Sequence, residues 1–213
     1  MIELSGIRNE GRFVGNWPAD AEAVAVLRDW VAESVVLLDA AGLDLSHVDL
    51  SHADLADSLL TETVLQGARL VRADLYRAHL EGANLNEADL SGASLVKAEL
   101  DHASLRGAVL NGANLGSVEM YGVDGRGASF RQASLHGASL TNVDLRSADL
   151  TDVSVSETFM QTVLDDQTVV SGLSGTIFGP AEVVGRDGRH ELAGAELESW
   201  LNSRGAKVRV LPS

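Results

Sequence analysis

The sequence contains no cysteine among its 213 residues. This excludes disulfides, thiolate chemistry and cysteine-ligated zinc, while saying little about compartment. Bases are scarce as well: 16 Lys and Arg face 31 Asp and Glu, a net charge of −15. Such a balance argues against direct binding to nucleic acid, whose phosphates would be repelled. No apolar run approaches the roughly 18 residues a membrane span needs. The start, Met1-Ile2-Glu3-Leu4, has no basic stretch ahead of an apolar core, so a cytoplasmic protein is expected. Metalloprotease signatures, phosphate loops and nucleophile elbows are missing too. Neither an enzyme nor a cofactor is expected, and His47 and His52, at neighbouring corners, are too weak a signal for a metal site.

What is present is a five-residue repeat from Leu43 to Thr162. Its centres run from Leu45 in steps of five to Met160, and 19 of the 24 are Leu. Two places before every centre but the first, which has Leu43, stands a small or β-branched residue, 15 times Ala and 5 times Val. The unit reads A-(D/N/S)-L-x-x. A period of five fits neither a helix, which repeats at 3.6, nor an alternating strand, which repeats at 2. The chain therefore turns after each unit, and eight units carry Gly two places after the centre, where a corner can demand positive φ. No unit buries its Leu alone, so the units must stack into an all-β solenoid. Gly125 leaves one inward centre empty, and a local distortion over Tyr121 to Gly127 is expected, with Tyr121 or a neighbouring core residue filling the gap.

The flanks lack the repeat. Residues 1–42 read as a cap: a short strand or two up to Val14, Pro18 in a first helical turn, a stripe of Val24, Leu27 and Val31 continuing to about Ser34, and an apolar strand over Val35 to Leu38. Residues 163–213 follow the loss of register, since the next centre would be Asp165. They offer short strands at Val169-Val170, Ile177-Phe178 and Val183-Val184, and a hairpin turn at Arg186-Asp187-Gly188-Arg189. A helix over 194–204 with Leu197, Trp200 and Leu201 on one face comes next, then a strand over Lys207 to Leu211. This segment is read either as a second cap or as a dimerisation element through those three side chains.

Runs such as Ala83-Asn84-Leu85-Asn86-Glu87, Ala88-Asp89-Leu90-Ser91-Gly92 and Ala148-Asp149-Leu150-Thr151-Asp152 resemble the pentapeptide-repeat family over 120 residues. The resemblance implies a right-handed quadrilateral β-helix with four units per coil. On that basis the 24 units make six coils, about 29 Å of rod at the usual strand spacing. It also implies a candidate function, because the quinolone-resistance and mycobacterial fluoroquinolone-resistance groups of the family include rod-shaped DNA mimics that bind DNA gyrase and topoisomerase IV.

With coils of 20 residues, outward positions 20 apart form columns. One face then collects Glu62, Glu81, Glu99, Asp101 and Glu119, opposed only by His79 and His102, and is the candidate surface for a protein partner, a type II topoisomerase in the specific version. Another stacks Arg106, Arg126 and Arg146, with Asp124 and Asp144 beside the last two. The alternative reading is a structural or assembly scaffold that makes its contacts through the end segments.

Overall fold

The computed structural model describes residues 8–9, 11–32 and 37–212. The expectations for Met1 to Ile7, for a helix end near Ser34 and for Val35 and Val36 lie outside the described residues.

The pentad folds as its spacing demands. Parallel bridges join residues 20 apart, from Asp39↔Leu59 through Glu99↔Glu119 to Asp149↔Val169, so four units complete one coil of a β-solenoid. Each centre donates its N–H to the next coil, as Leu45 does to the Val64 carbonyl at 2.8 Å. Its own carbonyl accepts from the residue three places on, which closes the corner: Val48 N–H to Leu45 O is 3.2 Å. The third residue of that corner takes positive φ, at Gly67 (63°) but equally at His47 (59°), Arg72 (55°) and Glu87 (61°). Glycine is thus one solution to the corner, not its requirement. It matters most at Gly67, where an added Cβ would lie 2.6 Å from Nδ1 of His47 in the coil below.

The Asp or Asn ahead of the Leu has a job the periodicity did not reveal. Asp44 Oδ1 accepts from Ser46 N–H (2.9 Å), Asn84 Oδ1 from Asn86 N–H (3.1 Å) and Asp89 Oδ1 from Ser91 N–H (3.0 Å). Each side chain ties down a corner amide that the ladder leaves free. Inward, Leu and Ala form ladders at 0–1% exposure. Burying each such Leu is worth about 1.5–3 kcal/mol.

Gly125 does not distort the stack. Its N–H still reaches Asp144 O at 2.9 Å, and the bridges Ser104↔Asp124 and Asp124↔Asp144 keep the 20-residue step. Tyr121 is 45% exposed and fills nothing. Leu145 of the next coil leans over instead, its Cδ2 standing 3.0 Å from where a Cβ on Gly125 would be.

The expected boundaries at 43 and 162 are both too narrow. Ala40, buried, takes a centre ahead of Leu45, and the ladder starts with Asp39. At the other end the strand Ser154–Asp165 slips by one residue against Ser139–Asp144, pairing Val143 with Thr162 and Asp144 with Val163. Leu164 therefore occupies the inward place that a strict count assigns to Asp165, and Val170 resumes the pattern. The count of six coils, taken from the repeat alone, does not describe this longer ladder.

Numbered along the chain, the strands are β1 (Arg8–Asn9), β2 (Arg12–Phe13), β3 (Glu119–Tyr121), β4 (Ser139–Asp144), β5 (Ser154–Asp165), β6 (Ser174–Phe178), β7 (Ala181–Gly185), β8 (Gly188–Leu192) and β9 (Lys207–Leu211); the helices are α1 (Ala21–Ala32) and α2 (Gly194–Asn202). One face of the solenoid flattens into the sheet β3-β4-β5-β6-β9, with the β7-β8 hairpin attached to β5. That hairpin turns through Arg186-Asp187 between the paired Gly185 and Gly188, inside the expected stretch but with Gly188 in the strand, one residue off an Asp187-Gly188 centre.

At the N-terminal end, backbone bonds cover the first coil: Asp54 N–H to Gly11 O (2.7 Å), Gly15 N–H to Asp49 O (2.8 Å) and Asp49 N–H to Asn16 O (3.0 Å). α1 starts after Pro18 rather than on it, because Asp20 caps it by accepting from Ala23 N–H at 2.7 Å. Its buried face is Ala23, Leu27, Trp30 and Val31, continuous with the Leu core; Val24 is only half-buried. Among the described residues no helix is long and apolar enough to cross a membrane.

Candidate protein-binding face

Stacking brings the five predicted acids onto one face. His79 bridges to Glu99 and Glu99 to Glu119, forming one column. Two residues along, Thr61 Oγ1 donates to Glu81 Oε2 (3.2 Å) and Tyr121 N–H to Asp101 Oδ1 (2.8 Å), tying a second column together. Glu62 sits on the adjoining corner at φ 58°. Glu62, Glu99 and Glu119 are exposed, while Glu81 and Asp101 are half-buried. His79 Nδ1 stands 3.4 Å from Glu99 Oε2 and 3.6 Å from Glu81 Oε1. Glu62, Asp101 and Glu119 have no ion-pair partner among the described residues.

Burial pushes the Glu81 carboxyl up, but hydrogen bonds with its own amide, Glu99 and Thr61, together with the nearby His79, hold it below the usual range. Glu81 therefore keeps its negative charge at neutral pH. One rim is basic: a hollow of about 440 Å³ is lined by Arg77, His79, Lys97, Glu99, Ser117 and Glu119. His79, Glu81 and Glu99 also offer three ligand atoms within 4.8 Å of one another, a grouping missed when only His47 and His52 were weighed. His79 lies within 3.6 Å of both carboxylates, and exposed acidic groups commonly gather without an ion.

The arginine face neutralises itself. Arg126 grips Asp124 through Nε (2.7 Å) and Nη2 (2.5 Å), and Arg146 grips Asp144 likewise (2.9 and 2.6 Å). Longer contacts continue the ladder from Arg106 to Asp124 (4.0 Å) and from Arg126 to Asp144 (3.7 Å). Other arginines pair with aspartates one coil away, Arg69 with Asp49 and Arg77 with Asp57. The fold thus spends most of its guanidinium groups on other walls; beside the glutamates stand two histidines and, on one rim, Arg77 and Lys97.

A pH dependence follows from these pairs. The Arg126 hydrogen bond holds the Asp124 carboxyl low. Burial raises Asp144, but the Arg146 guanidinium more than reverses it; burial likewise raises Asp165, and bonds from Ser147 and Thr168 overcome it. Carboxyls depressed in the folded state stabilise it above their unfolded value of about 3.9, and that contribution disappears as pH falls through the lower folded values. Urea midpoints are expected to stay level from about pH 7 to pH 5 and to drop below about pH 4. A midpoint that rose on acidification would contradict the pairing.

Of the predicted dimer residues, Leu197 and Leu201 are buried at 0% and 1% against the chain's own core. They close this end of the solenoid and are not available to a partner, which corrects the sequence reading. Only Trp200 remains partly exposed, with the Arg204 guanidinium stacked 3.9 Å over its ring. His190 turns to Asp187 at 3.2 Å. The sequence also gave no signal for the pair Phe159 and Phe178, whose rings stack 4.7 Å apart on the outer side of the flattened face, Phe159 being 50% exposed.

Comparison with known proteins agrees with this architecture. The family model described as "Pentapeptide repeats" matches in overlapping stretches across residues 44–161, with eight copies. Among solved structures, a pentapeptide repeat protein from the Arabidopsis thaliana thylakoid lumen is 33% identical over 49% of this chain and 66% of its own length, short of two thirds, with a TM-score of 0.36. HetL, from the cyanobacterium Nostoc, is a pentapeptide repeat protein involved in heterocyst differentiation regulation. It is 27% identical over 73% of this chain and 84% of its own, with a TM-score of 0.40. QnrB1, a plasmid-mediated fluoroquinolone resistance protein, is 16% identical over 68% of this chain and 74% of its own, with a TM-score of 0.44. No curated protein matches the sequence. With the family model covering more than half of the residues and the 20-residue coils in place, the chain belongs to the pentapeptide-repeat family.

Proposed function

We propose that the protein is a non-enzymatic binding protein whose glutamate face engages a basic surface on another protein, in the specific form of a DNA mimic recognised by a type II topoisomerase. The observation that carries this reading is the segregation of charge: Arg106, Arg126 and Arg146 are absorbed by Asp124 and Asp144, whereas Glu62, Asp101 and Glu119 have no ion-pair partner among the described residues. Carboxylates spaced one strand apart, about 4.8 Å, offer a regular negative array to lysines and arginines that ordinarily hold phosphates. Charge complementarity of this kind sets encounter rate and specificity more than raw affinity.

Titration of the purified protein into a DNA gyrase supercoiling assay tests the reading, with and without a quinolone and at two salt concentrations. Inhibition of supercoiling or protection from the drug is expected, weakening roughly tenfold or more between about 50 and 200 mM salt. Absence of any effect at micromolar protein would reject gyrase as the partner and favour the scaffold reading. That alternative has its own supporting observation in the exposed Phe159-Phe178 stack.

A further inference from the structure

The column that carries the glutamates does not end with them. Its register runs His79, Glu99, Glu119, Ser139, Phe159 and Phe178, and the neighbouring column runs Tyr121, Thr141 and Gln161. Two strand spacings past Glu119, roughly 10 Å, the column changes from carboxylate to aromatic. The Phe159 and Phe178 rings stack 4.7 Å apart at 21° to each other, and half of Phe159 meets solvent. Leu211 of β9, half-buried, pairs beside Phe178 and extends the platform at its far side. This is a contiguous apolar patch on an outer wall, of the kind that marks a contact surface, rather than a scatter of single residues.

The charge around the patch selects its occupant. The corner bordering this face carries Arg77 and Lys97 beside the glutamates, then Ser117 and Gly137, and at the level of Phe159 it carries Glu157. Glu157 is exposed, and its N–H donates to Thr176 Oγ1 at 2.9 Å, which fixes the corner. Neither Glu157 nor Glu119 has an ion-pair partner among the described residues. Exposed base returns beyond β6, where Arg209 of β9 pairs with Thr176, so a cation approaching from the Glu119 side meets carboxylates first. A guanidinium suits such a place: it is flat and weakly hydrated, and it stacks on a ring while its N–H groups reach carboxylates at the edge. The chain makes the same contact within itself, where Arg204 lies 3.9 Å over the Trp200 ring.

We infer that the Phe159-Phe178 platform docks an arginine of the protein partner whose other basic residues lie along the glutamate column. The inference rests on the binding function proposed above and adds direction to it. An acidic column of repeating coils offers several equivalent registers to a basic surface, whereas an aromatic platform at one end admits one.

The test uses labelled hexa-arginine, hexalysine and a hexalysine with one residue changed to leucine, each titrated with the protein at low salt and followed by anisotropy. Hexa-arginine is expected to bind more tightly than hexalysine. Carboxylates alone favour guanidinium through paired hydrogen bonds, so the decisive quantity is the part of that preference which Phe159→Leu removes, about threefold. Phe159→Tyr keeps a ring and is expected to keep the preference. A thermal melt checks that both variants fold. Upfield ring-current displacement of the bound arginine δ-methylene protons reads the contact in the wild-type protein, which keeps the test decisive if Phe159→Leu does not fold. A preference unchanged by Phe159→Leu would overturn the inference. So would a leucine-bearing hexalysine that matches hexa-arginine, or a doubled wild-type mass that Phe159→Leu returns to single, since an apolar side chain or a second copy would then cover the platform. Peptides that bind with no dependence on Phe159 remove this inference and leave the glutamate face as the binding surface. Failure of every peptide to bind removes both.

Discussion

Changing Glu81, Glu99, Asp101 and Glu119 together to lysine is expected to abolish binding to a basic partner, with affinity falling by about 100-fold or more. The four residues sit in adjacent columns of one face, bridged through Glu99↔Glu119 and tied laterally by Tyr121 N–H on Asp101. Reversal therefore turns a continuous acidic strip basic, and like charges facing each other across an interface cost several kcal/mol. Stability should change little by comparison. The hydrogen bonds lost from Thr61 and Tyr121 are worth about 1 kcal/mol each, and reversal at exposed sites away from the core costs about 0.5 kcal/mol or less. A binding titration paired with a thermal melt separates the two effects. Equal loss of binding from reversing surface acids on another wall would show that overall charge, not this face, is responsible.

The second large effect belongs to the core. Leu100 is fully buried and stands in one ladder with Leu80 below and Met120 above. Leu100→Ala empties a site that its neighbours fill only in part, at a cost of about 2–5 kcal/mol. Each coil touches only its neighbours, so the loss weakens both interfaces of the coil that carries it. Urea unfolding of the variant against wild type measures this directly. A loss under about 1 kcal/mol would mean that the ladder closes around missing volume, as it does where Leu145 leans toward Gly125.

Gly125 marks where reading the sequence reaches its limit. An absent Leu announces a void, but whether a neighbour can swing into it depends on rotamers one coil away, which are 20 residues off in sequence. The fold itself was legible because a period of five admits few geometries and each unit must stack to bury its Leu. The same periodicity was enough to place the five acids on one face, since positions 20 apart become neighbours whatever their identity. The two-residue spacing likewise set Asp124 and Asp144 beside Arg126 and Arg146, whereas that His79 would stand between Glu81 and Glu99 depends on side-chain reach. Strict counting also stopped the repeat at Thr162, where a one-residue slip hands the inward place to Leu164. At the C-terminal helix the apolar stripe of Leu197 and Leu201 was visible, but a stripe says that a face is covered, not by what. The hydrogen bonds that Asn202 and Glu198 of α2 accept from Val208 and Val210 of β9 had no sequence signal, because they arise where a helix meets a strand end in space.

Direct competition between the protein and DNA on gyrase is the most direct measure of mimicry. Labelled duplex DNA bound to gyrase is titrated with the protein, and the anisotropy of the DNA is followed. Displacement of the DNA in proportion to protein added is expected, lost in the four-site lysine variant. A complex in which gyrase holds DNA and the protein together, or a wild-type protein that leaves the DNA signal untouched at micromolar concentration, would contradict it.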